Sequence, residues 1–345
     1  MRYLLATKLK EIMYNQFISQ KVNPDSAYHV CESLVQTSLR GVDSHGINLF
    51  PHYCRVATTK RININPKFEI LKRSPSSALF DAVNAFGHHA CAVATELAIK
   101  LAKQTGSAVV TVKNSSHFAA AAYYALMAAE NDCIGFIFTN ADSLVKAHGG
   151  ITSYFGTNPI CMAAPMEGES PFCLDMATSA ISWNKINNYR RTNTPLDQNL
   201  AFDAEGNTVT DPHQARSLAP SGGYKGFGLG MMVEILCSLL TNGPFAQELV
   251  PMYQCLESPR YISHCIFVLD ISTLTDTTLF KKGLASMASK IRSLPPETTD
   301  IPVMIPGDPE KQAFIIRSQR GIPINNSIFN EFLELNSKFH EALYE

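Results

Sequence analysis

Residues 77–140 alternate between short apolar runs and longer amphipathic runs, and this alternation is the strongest restriction on the fold. The short runs are rich in β-branched and aromatic residues, as in AVVTVK and CIGFIF, while the longer runs repeat apolar residues at helical spacing. The predicted order is strand 77–83, helix 91–106, strand 108–113, helix 118–131 and strand 133–140. Strands and helices that follow one another in this way usually form a sheet covered by helices, so the sequence predicts an α/β body.

Helical patterns dominate both ends of the chain, whereas strands and turns dominate its centre. The sequence predicts helices at 3–19, at 24–41 with Asp25 or Ser26 as cap and Gly41 as the terminating residue, at 277–293 and at 326–344. It also predicts strands at 160–165, 172–178 and 264–271, polar loops at 185–224 and 305–312, and a buried helix at 227–241. We therefore expect a helical subdomain made of residues 1–75 and 311–345, joined to an α/β domain at 76–310.

The charge balance argues against two classes of partner. The 345 residues include 29 Lys and Arg against 30 Asp and Glu, and no long basic run occurs. Nucleic-acid-binding proteins usually show a basic excess, so we expect no nucleic-acid partner. The most apolar stretch, 227–240, is too short to span a bilayer and contains Glu234, so we expect no membrane partner either.

The cysteine pattern indicates a compartment. Nine cysteines are scattered from Cys31 to Cys265, and no C-x-x-C pair occurs. An odd number without regular spacing does not indicate a disulfide framework. The chain start alternates apolar and charged residues and lacks the apolar core of a signal peptide. We therefore expect buried free thiols in a cytoplasmic protein.

His117 is the first candidate for chemistry, because NSSHF lies where a predicted strand ends and a helix begins. Ligands of open α/β sheets gather at such strand ends. An imidazole with a pKa near ~6.5 can exchange a proton with a bound substrate at neutral pH. Asn114, Ser115 or Ser116 can cap the following helix. The alternative, that His117 only caps or packs, stays open at this point.

Ser44 and His45 are adjacent in RGVDSHG, which follows the second predicted helix. Consecutive side chains diverge, so we do not expect a nucleophile–base pair here, and no G-x-S-x-G segment supplies another serine. The two residues either line a pocket as hydrogen-bonding groups or belong to an ordinary solvent-exposed loop.

Lys225 lies at the start of a predicted helix, within the glycine-rich segment GGYKGFGLG. A cation is unfavourable there unless an anion also binds, held by free amides and the ammonium group. The segment is neither G-x-G-x-x-G nor a P-loop. The alternative is that these glycines only allow close helix packing.

Two aspartates follow predicted strands. Asp175 in DMATS could accept hydrogen bonds from ribose hydroxyls, or could only make a turn or cap a helix. Asp142 in FTNADS could orient a histidine. The pair His88 and His89 has no carboxylate or cysteine at a supporting spacing, so we interpret it as structural and expect no metal site.

Several motifs in order resemble one known family. RGVDSHG, NSSHF, GTNPI, DMATS, GGYKGFGL, PGDPE and RGIPI are similar to the motifs of the malate/L-lactate dehydrogenase family that is distinct from the Rossmann-fold lactate dehydrogenases. The resemblance runs from about residue 3 to 340. It implies a homodimer with a non-Rossmann, mixed-sheet fold, NAD or NADP as cofactor, and a small polar carbonyl compound or cyclic imine as substrate.

The resemblance also implies roles for single residues. His117 would give or take the proton at the substrate oxygen, with His45 as a further catalytic group and Asp142 orienting the imidazole. Ser44 and Tyr53 would line the substrate pocket. The cofactor contacts would be Ala141, Ser143, Asp175, Met176, Ala177, Lys225, Pro306, Gly307 and Asp308.

The sequence departs from the family pattern S-H-G-x-x-R at Leu49. The arginine of that pattern grips a substrate carboxylate by paired hydrogen bonds, which leucine cannot form. Either a neighbour such as Arg55 replaces it, or the substrate has no carboxylate at that place. The alternative to an active oxidoreductase is a nucleotide-binding homodimer that has lost this catalysis.

Overall fold

A computed structural model gives the structure of the chain and describes residues 2–344. Its helices are α1 (Ala6–Ser19), α2 (Pro24–Leu39), α3 (Phe50–Ala57), α4 (Gly87–Thr105), α5 (Ala122–Glu130), α6 (Trp183–Thr192), α7 (Tyr224–Glu234), α8 (Thr277–Arg292), α9 (Asp308–Arg320) and α10 (Asn326–Leu335). Its strands are β1 (Arg2–Leu4), β2 (Glu69–Arg73), β3 (Ser77–Asp81), β4 (Ser107–Ser115), β5 (Cys133–Thr139), β6 (Val145–Lys146), β7 (Ser153–Phe155), β8 (Ile160–Ala164), β9 (Phe172–Met176), β10 (Ala201–Phe202), β11 (Thr208–Val209), β12 (Ser217–Leu218), β13 (Ile262–Asp270) and β14 (Ile322–Ile324).

The central sheet has seven strands in the order β2-β3-β4-β13-β5-β8-β9. Among these described strands only β3 and β4 pair in parallel, and all other neighbours are antiparallel. A Rossmann sheet is mostly parallel and has a different strand order. The predicted α/β class with a non-Rossmann mixed sheet is therefore confirmed.

Helices cover both faces of this sheet. On one face α4 and α5 present mainly alanines, such as Ala94, Ala98 and Ala125, which allow the helices to pack closely on Ile266 of β13. On the other face Cys265 of β13 contacts the cluster that includes Cys237, in the π-helical turn Ile235–Leu239 after α7. Successive residues of β13 thus serve opposite layers, as expected for a central strand.

The two chain ends form one helical subdomain. Phe17 of α1, Phe50 of α3 and Phe332 of α10 meet in a single apolar cluster. The first helix begins at Ala6, later than predicted, because β1 pairs with β14. The predicted subdomain limit at residue 75 also differs from the structure, because β2 pairs with β3 across a tight turn and so belongs to the central sheet.

Two predicted loops contain helices. The segment 185–224, predicted as a loop, includes part of α6 and three strands of a second sheet of order β11-β10-β12-β6-β7. Helix α6 escaped detection because Ile186 is its only buried residue, so it has little apolar periodicity. The segment 305–312 likewise contains the start of α9, whose proline at the first turn is typical of a helix N-terminus.

Helix caps differ from the sequence predictions. Asn23 caps α2 by accepting hydrogen bonds from the backbone N–H groups of Asp25 and Ser26, which were the predicted caps themselves. Gly41 follows α2 with φ of +86°, as a terminating residue should. Helix α7, predicted to be buried, exposes one apolar side in the single chain.

All nine cysteines are free, and all except Cys255 are buried, as predicted. No helix within residues 2–344 is both long enough and apolar enough to cross a membrane.

Candidate active site

A cleft of about 1460 Å³ lies where the helical subdomain, the central sheet and the second sheet meet. Ligand sites in proteins are commonly about 300–1,000 Å³, so this cleft can hold more than one small molecule. Most of the predicted site residues line it, namely Ser44, His45, His117, Ala141, Asp142, Ser143, Asp175, Ala177, Pro306 and Gly307.

His117 reaches the cleft because the segment after β4 is fixed from behind by the start of α4. The backbone N–H of Gly87 donates to Ser116 Oγ at 2.9 Å, and that hydroxyl donates to the Ala85 carbonyl at 3.0 Å. A Cβ at position 87 would lie 2.1 Å from the Ser116 carbonyl oxygen, so only glycine permits this approach. Neither Ser116 nor its neighbours cap α5, contrary to prediction.

Tyr53 holds the imidazole of His117 and, contrary to prediction, does not itself line the cleft. Its hydroxyl lies 2.6 Å from Nδ1, and the backbone N–H of Ala119 also donates to Nδ1, at 3.4 Å. The Tyr53 hydroxyl can donate to Nδ1 or accept from it, so this contact permits either neutral tautomer of the ring. Burial lowers the pKa of His117 well below its usual range, with the positive charges of His45 and Arg260 acting in the same direction.

Ser44 and His45 do meet, so the predicted divergence of their side chains is wrong. Ser44 Oγ lies 2.9 Å from His45 Nδ1, because the bend between α2 and the 3-10 turn Ile47–Leu49 is not extended. The His45 ring stacks on His117 with centroids 5.7 Å apart, and burial lowers the pKa of His45. No described side chain hydrogen-bonds the other nitrogen of His45, so the triad of a serine hydrolase is not assembled here.

Asp142 does not orient His117, which corrects another prediction. Its carboxylate accepts hydrogen bonds from the buried guanidinium of Arg260 and, at 2.8 Å, from the backbone N–H of Met252. Tyr53 takes the place at Nδ1 that was predicted for Asp142. Arg260 was not predictable from the sequence, since a single arginine before a strand belongs to no motif.

Asp175 faces the cleft at the end of β9 and also caps α5. One carboxylate oxygen, Oδ2, accepts the backbone N–H of Ala122 at 2.8 Å. Burial within the walls of the cleft raises the pKa of Asp175 to about 6, while that N–H opposes the shift. The sequence offered two roles for Asp175, a helix cap and an acceptor for ribose hydroxyls. One side chain can fill both, because each role uses a different carboxylate oxygen. Met176, predicted as a cofactor contact, does not line the cleft.

Gly307 lines the cleft with its backbone, whereas Asp308 does not line the cleft. Gly307 has φ of +94°, and a Cβ there would lie 3.1 Å from the Cys173 carbonyl oxygen. Asp308 is buried and accepts two hydrogen bonds from Arg292, at 2.8 and 2.6 Å. The predicted cofactor contact of Asp308 is therefore replaced by a structural ion pair.

Lys225 lies outside the cleft lining, contrary to prediction, and its side chain is exposed. It lies in the first turn of α7, near the residues that follow β9, because Gly226 packs against the backbone of Thr178. Of the other predicted contacts, Ser143 donates its hydroxyl to the Tyr154 carbonyl at 2.7 Å, and Ala141 donates its N–H to Asn158 at 3.0 Å.

Helix α6 supplies part of the cleft that the sequence did not reveal. Trp183 and Asn184 line it, and Asn184 Nδ2 donates to the Ser44 carbonyl at 3.1 Å. Arg40 was also missed: it lines the cleft, and its Nε and Nη2 are buried without an acceptor among the described residues.

Leu49 lines the cleft and is 8% exposed, so no cation stands at this position of the wall. Arg55, the suggested replacement, is exposed and lies outside the cleft lining. His88 and His89 are buried, and no group of three or more potential metal ligands occurs within residues 2–344.

Comparison with known proteins relates the whole chain to one family. The sequence profile described as Malate/L-lactate dehydrogenase matches residues 4–333. A malate dehydrogenase of Pyrococcus horikoshii is 34% identical over 324 residues, which cover 91% of this chain and 89% of that protein. A ureidoglycolate dehydrogenase (NAD(+)) of Escherichia coli is 30% identical over 336 residues, which cover 97% of this chain and 95% of that protein.

The relationship extends to three dimensions. The crystal structure of malate dehydrogenase from Entamoeba histolytica has a TM-score of 0.93 to this chain at 28% identity, with 98% of each chain covered. The similarity therefore includes the helical subdomain as well as the central sheet.

Proposed function

This chain belongs to the malate/L-lactate dehydrogenase family and is an oxidoreductase, and we propose that it interconverts a small 2-hydroxy acid and its 2-oxo acid with a nicotinamide dinucleotide. One observation carries this proposal. The imidazole of His117 is fixed at Nδ1 by Tyr53, while the ring borders a cleft large enough for a cofactor and a substrate.

The cleft fits a dinucleotide by its polar groups. Asp175 uses one oxygen for Ala122 and leaves the other to accept a ribose hydroxyl. The Arg40 side chain lines the cleft and its guanidinium donates to no described residue, so it is available to an anionic phosphate. Ala177 and the bare backbone at Gly307 would complete the binding surface.

The bound nicotinamide would give or accept the hydride, and His117 would handle the accompanying proton. In the reduction direction the protonated imidazole donates from Nε2 to the substrate oxygen, and in the oxidation direction the neutral ring takes the proton back. The Tyr53 hydroxyl can both donate and accept, so it holds Nδ1 in either protonation state. The low pKa of His117 makes its protonated form a strong acid.

We also propose that a second copy of this chain covers α7. Met231, Ile235 and Leu239 are four residues apart and are 50%, 43% and 57% exposed. The only charged residue between positions 227 and 240, Glu234, is buried and accepts a hydrogen bond from Ser238. An apolar stripe without charge is complementary to itself around a twofold axis, which supports a homodimer.

The direct test is oxidation of NADH or NADPH in the presence of pyruvate, oxaloacetate or glyoxylate, followed by the loss of reduced-nicotinamide absorbance. His117→Ala should lower turnover on the order of 10²–10⁴-fold without a comparable loss of cofactor binding. Unchanged turnover in this variant would remove His117 from the mechanism. Leu49 motivates the second candidate, a nucleotide-binding homodimer without catalysis, which would bind the cofactor but turn over no member of the panel.

A further inference from the structure

Arg260 supplies a guanidinium to the part of the cleft that contains His117. Its side chain is 4% exposed and lines the cleft. Nε donates to the Val250 carbonyl at 2.9 Å, and Nη2 donates to the Asp142 carboxylate. Among residues 2–344 no protein group accepts a hydrogen bond from Nη1, and this nitrogen is not sealed within the protein. Nη1 of the guanidinium is therefore accessible to a ligand.

The charge of Arg260 acts on the groups around His117. It opposes protonation of His117 and of His52, although burial is the larger influence on the pKa of each. It also favours the ionised form of Tyr53, against the stronger effect of burial on that pKa. Arg260 and His117 line the same cleft, and the charge of Arg260 acts both on this imidazole and on its hydrogen-bond partner Tyr53.

Of the other two cations of the cleft wall, Lys311 is paired and Arg40 is assigned to the cofactor. Lys311 donates to Glu169 at 2.7 Å. The charge of Arg40 acts on Asp175, at the end of the cleft that we assign to the cofactor. Among the described residues of the cleft wall, Arg260 is thus the cation placed to meet a substrate beside His117.

The segment that carries Arg260 is held in place by a second buried arginine. Arg61 is 2% exposed and donates to the carbonyls of Met252 at 2.7 Å, Cys255 at 2.8 Å and Ser258 at 3.1 Å. Asp142 fixes the same segment through the Met252 N–H. The guanidinium of Arg260 is therefore positioned before any ligand binds, which reduces the entropic cost of binding.

We propose that the free Nη1 side of Arg260 binds the carboxylate of the 2-oxo acid or 2-hydroxy acid, beside His117. This inference rests on the proposed oxidoreductase function. It provides a charge-assisted contact that Leu49 cannot make. Asp142 is then a positioning residue, which acts by holding Arg260 rather than by orienting the imidazole.

The test compares an acid with a neutral molecule of the same shape. Turnover of pyruvate and pyruvamide is measured with the reduced cofactor, together with competition by oxamate and by its neutral amide, oxamide. We expect the wild-type protein to prefer each acid over its amide on the order of 100-fold, and Arg260→Gln to lose most of this preference. A preference that is unchanged in Arg260→Gln overturns the assignment of Arg260.

Further variants separate binding from folding. Arg260→Gln leaves Asp142 without its cation, so the double variant Arg260→Met with Asp142→Asn removes both charges and should lose the acid preference equally. Arg260→Lys keeps the positive charge but replaces the planar guanidinium with an ammonium group, so it should give an intermediate preference for the acid. Arg55→Gln changes an exposed arginine outside the cleft and should keep the wild-type preference. Loss of the preference in Arg55→Gln as well would also overturn the assignment.

The two proposals fail in distinguishable ways. If the wild-type protein turns over none of pyruvate, oxaloacetate and glyoxylate, the result contradicts the proposed function itself. Turnover of these acids with the same acid preference in wild type, in Arg260→Gln and in the double variant contradicts only the role of Arg260.

Discussion

The hydroxyl of Tyr53 lies 2.6 Å from Nδ1 of His117, so a buried phenol of the helical subdomain fixes an imidazole that follows a strand of the central sheet. This bond crosses the boundary between the two parts of the molecule. Its strength therefore couples the geometry of the proposed proton-exchange site to the packing of α3 against the sheet.

Tyr53→Phe tests this coupling. The variant keeps the ring packing but leaves Nδ1 with only the long contact from Ala119. We expect turnover to fall on the order of 10-fold, because a lost hydrogen bond to a charged group typically weakens the state that it stabilises by that factor or more. The NADH dissociation constant should stay within a few-fold of wild type. A kcat equal to that of wild type across the pH range would show that Tyr53 does not support the imidazole.

Arg40→Gln tests the proposed phosphate contact. Because Arg40 lines the cleft and its guanidinium donates to no described residue, a bound anion would gain charge-assisted hydrogen bonds from it. We expect the dissociation constant of NADH, followed by fluorescence, to rise on the order of 10-fold. Arg55→Gln is the matched control and should bind NADH as the wild type does. Equal affinities in wild type and Arg40→Gln would place the phosphates elsewhere in the cleft.

His88→Phe tests the acid sensitivity of the core. Burial lowers the pKa of His88 to about 3, and both its ring nitrogens lack partners among the described residues. The unfolded chain takes up this proton near pH 6.5 while the folded protein does not, so stability is lost as the pH falls below 6.5. Between pH 7 and pH 5 the wild type should lose about 2 kcal/mol more than His88→Phe.

The measurement for His88 is the free energy of unfolding in urea at both pH values, so that any packing cost of the phenylalanine cancels in the difference. His213→Gln changes an exposed histidine and should show the wild-type pH dependence. The same loss between pH 7 and pH 5 in wild type and His88→Phe would argue against a buried, uncharged His88.

Leu239→Glu tests the homodimer. A carboxylate in the stripe formed with Met231 and Ile235 would have to be desolvated in the interface, so the variant should be monomeric when its mass is measured by light scattering. Leu274→Glu changes a leucine that is 74% exposed outside this stripe and should leave the mass unchanged. A dimeric Leu239→Glu would place the interface on another surface.

The fold class was predictable because it depends on local periodicity. The alternation of strands and helices predicted for 77–140 is present in the structure as β3, α4, β4, α5 and β5. Helix α6 was not predictable, because its stability comes from a cap by Ser182 and from packing of Ile186, rather than from a continuous apolar face. The strand order could not be predicted either, because β13 lies between β4 and β5 in the sheet but far from both along the chain.

Some residues of the candidate site were likewise predictable from the sequence, and others were not. His117 and Asp175 were identified because each follows a strand, and strand ends are fixed by local sequence. Asp142 and Asp308 were assigned wrongly because their partners, Arg260 and Arg292, cannot be inferred from the residues beside them. The relation between Ser44 and His45 depended on the backbone conformation of a bend, which no periodic pattern encodes.

By itself the sequence determined the alternating strands and helices of 77–140, the family and the presence of an imidazole at a strand end, since these follow from spacing along the chain. Only the tertiary structure decided which ionisable groups face one another. Hydrogen bonds and charges act across a few ångströms of space, and the chain brings Tyr53 to His117 and Arg260 to Asp142 across 64 and 118 positions of sequence.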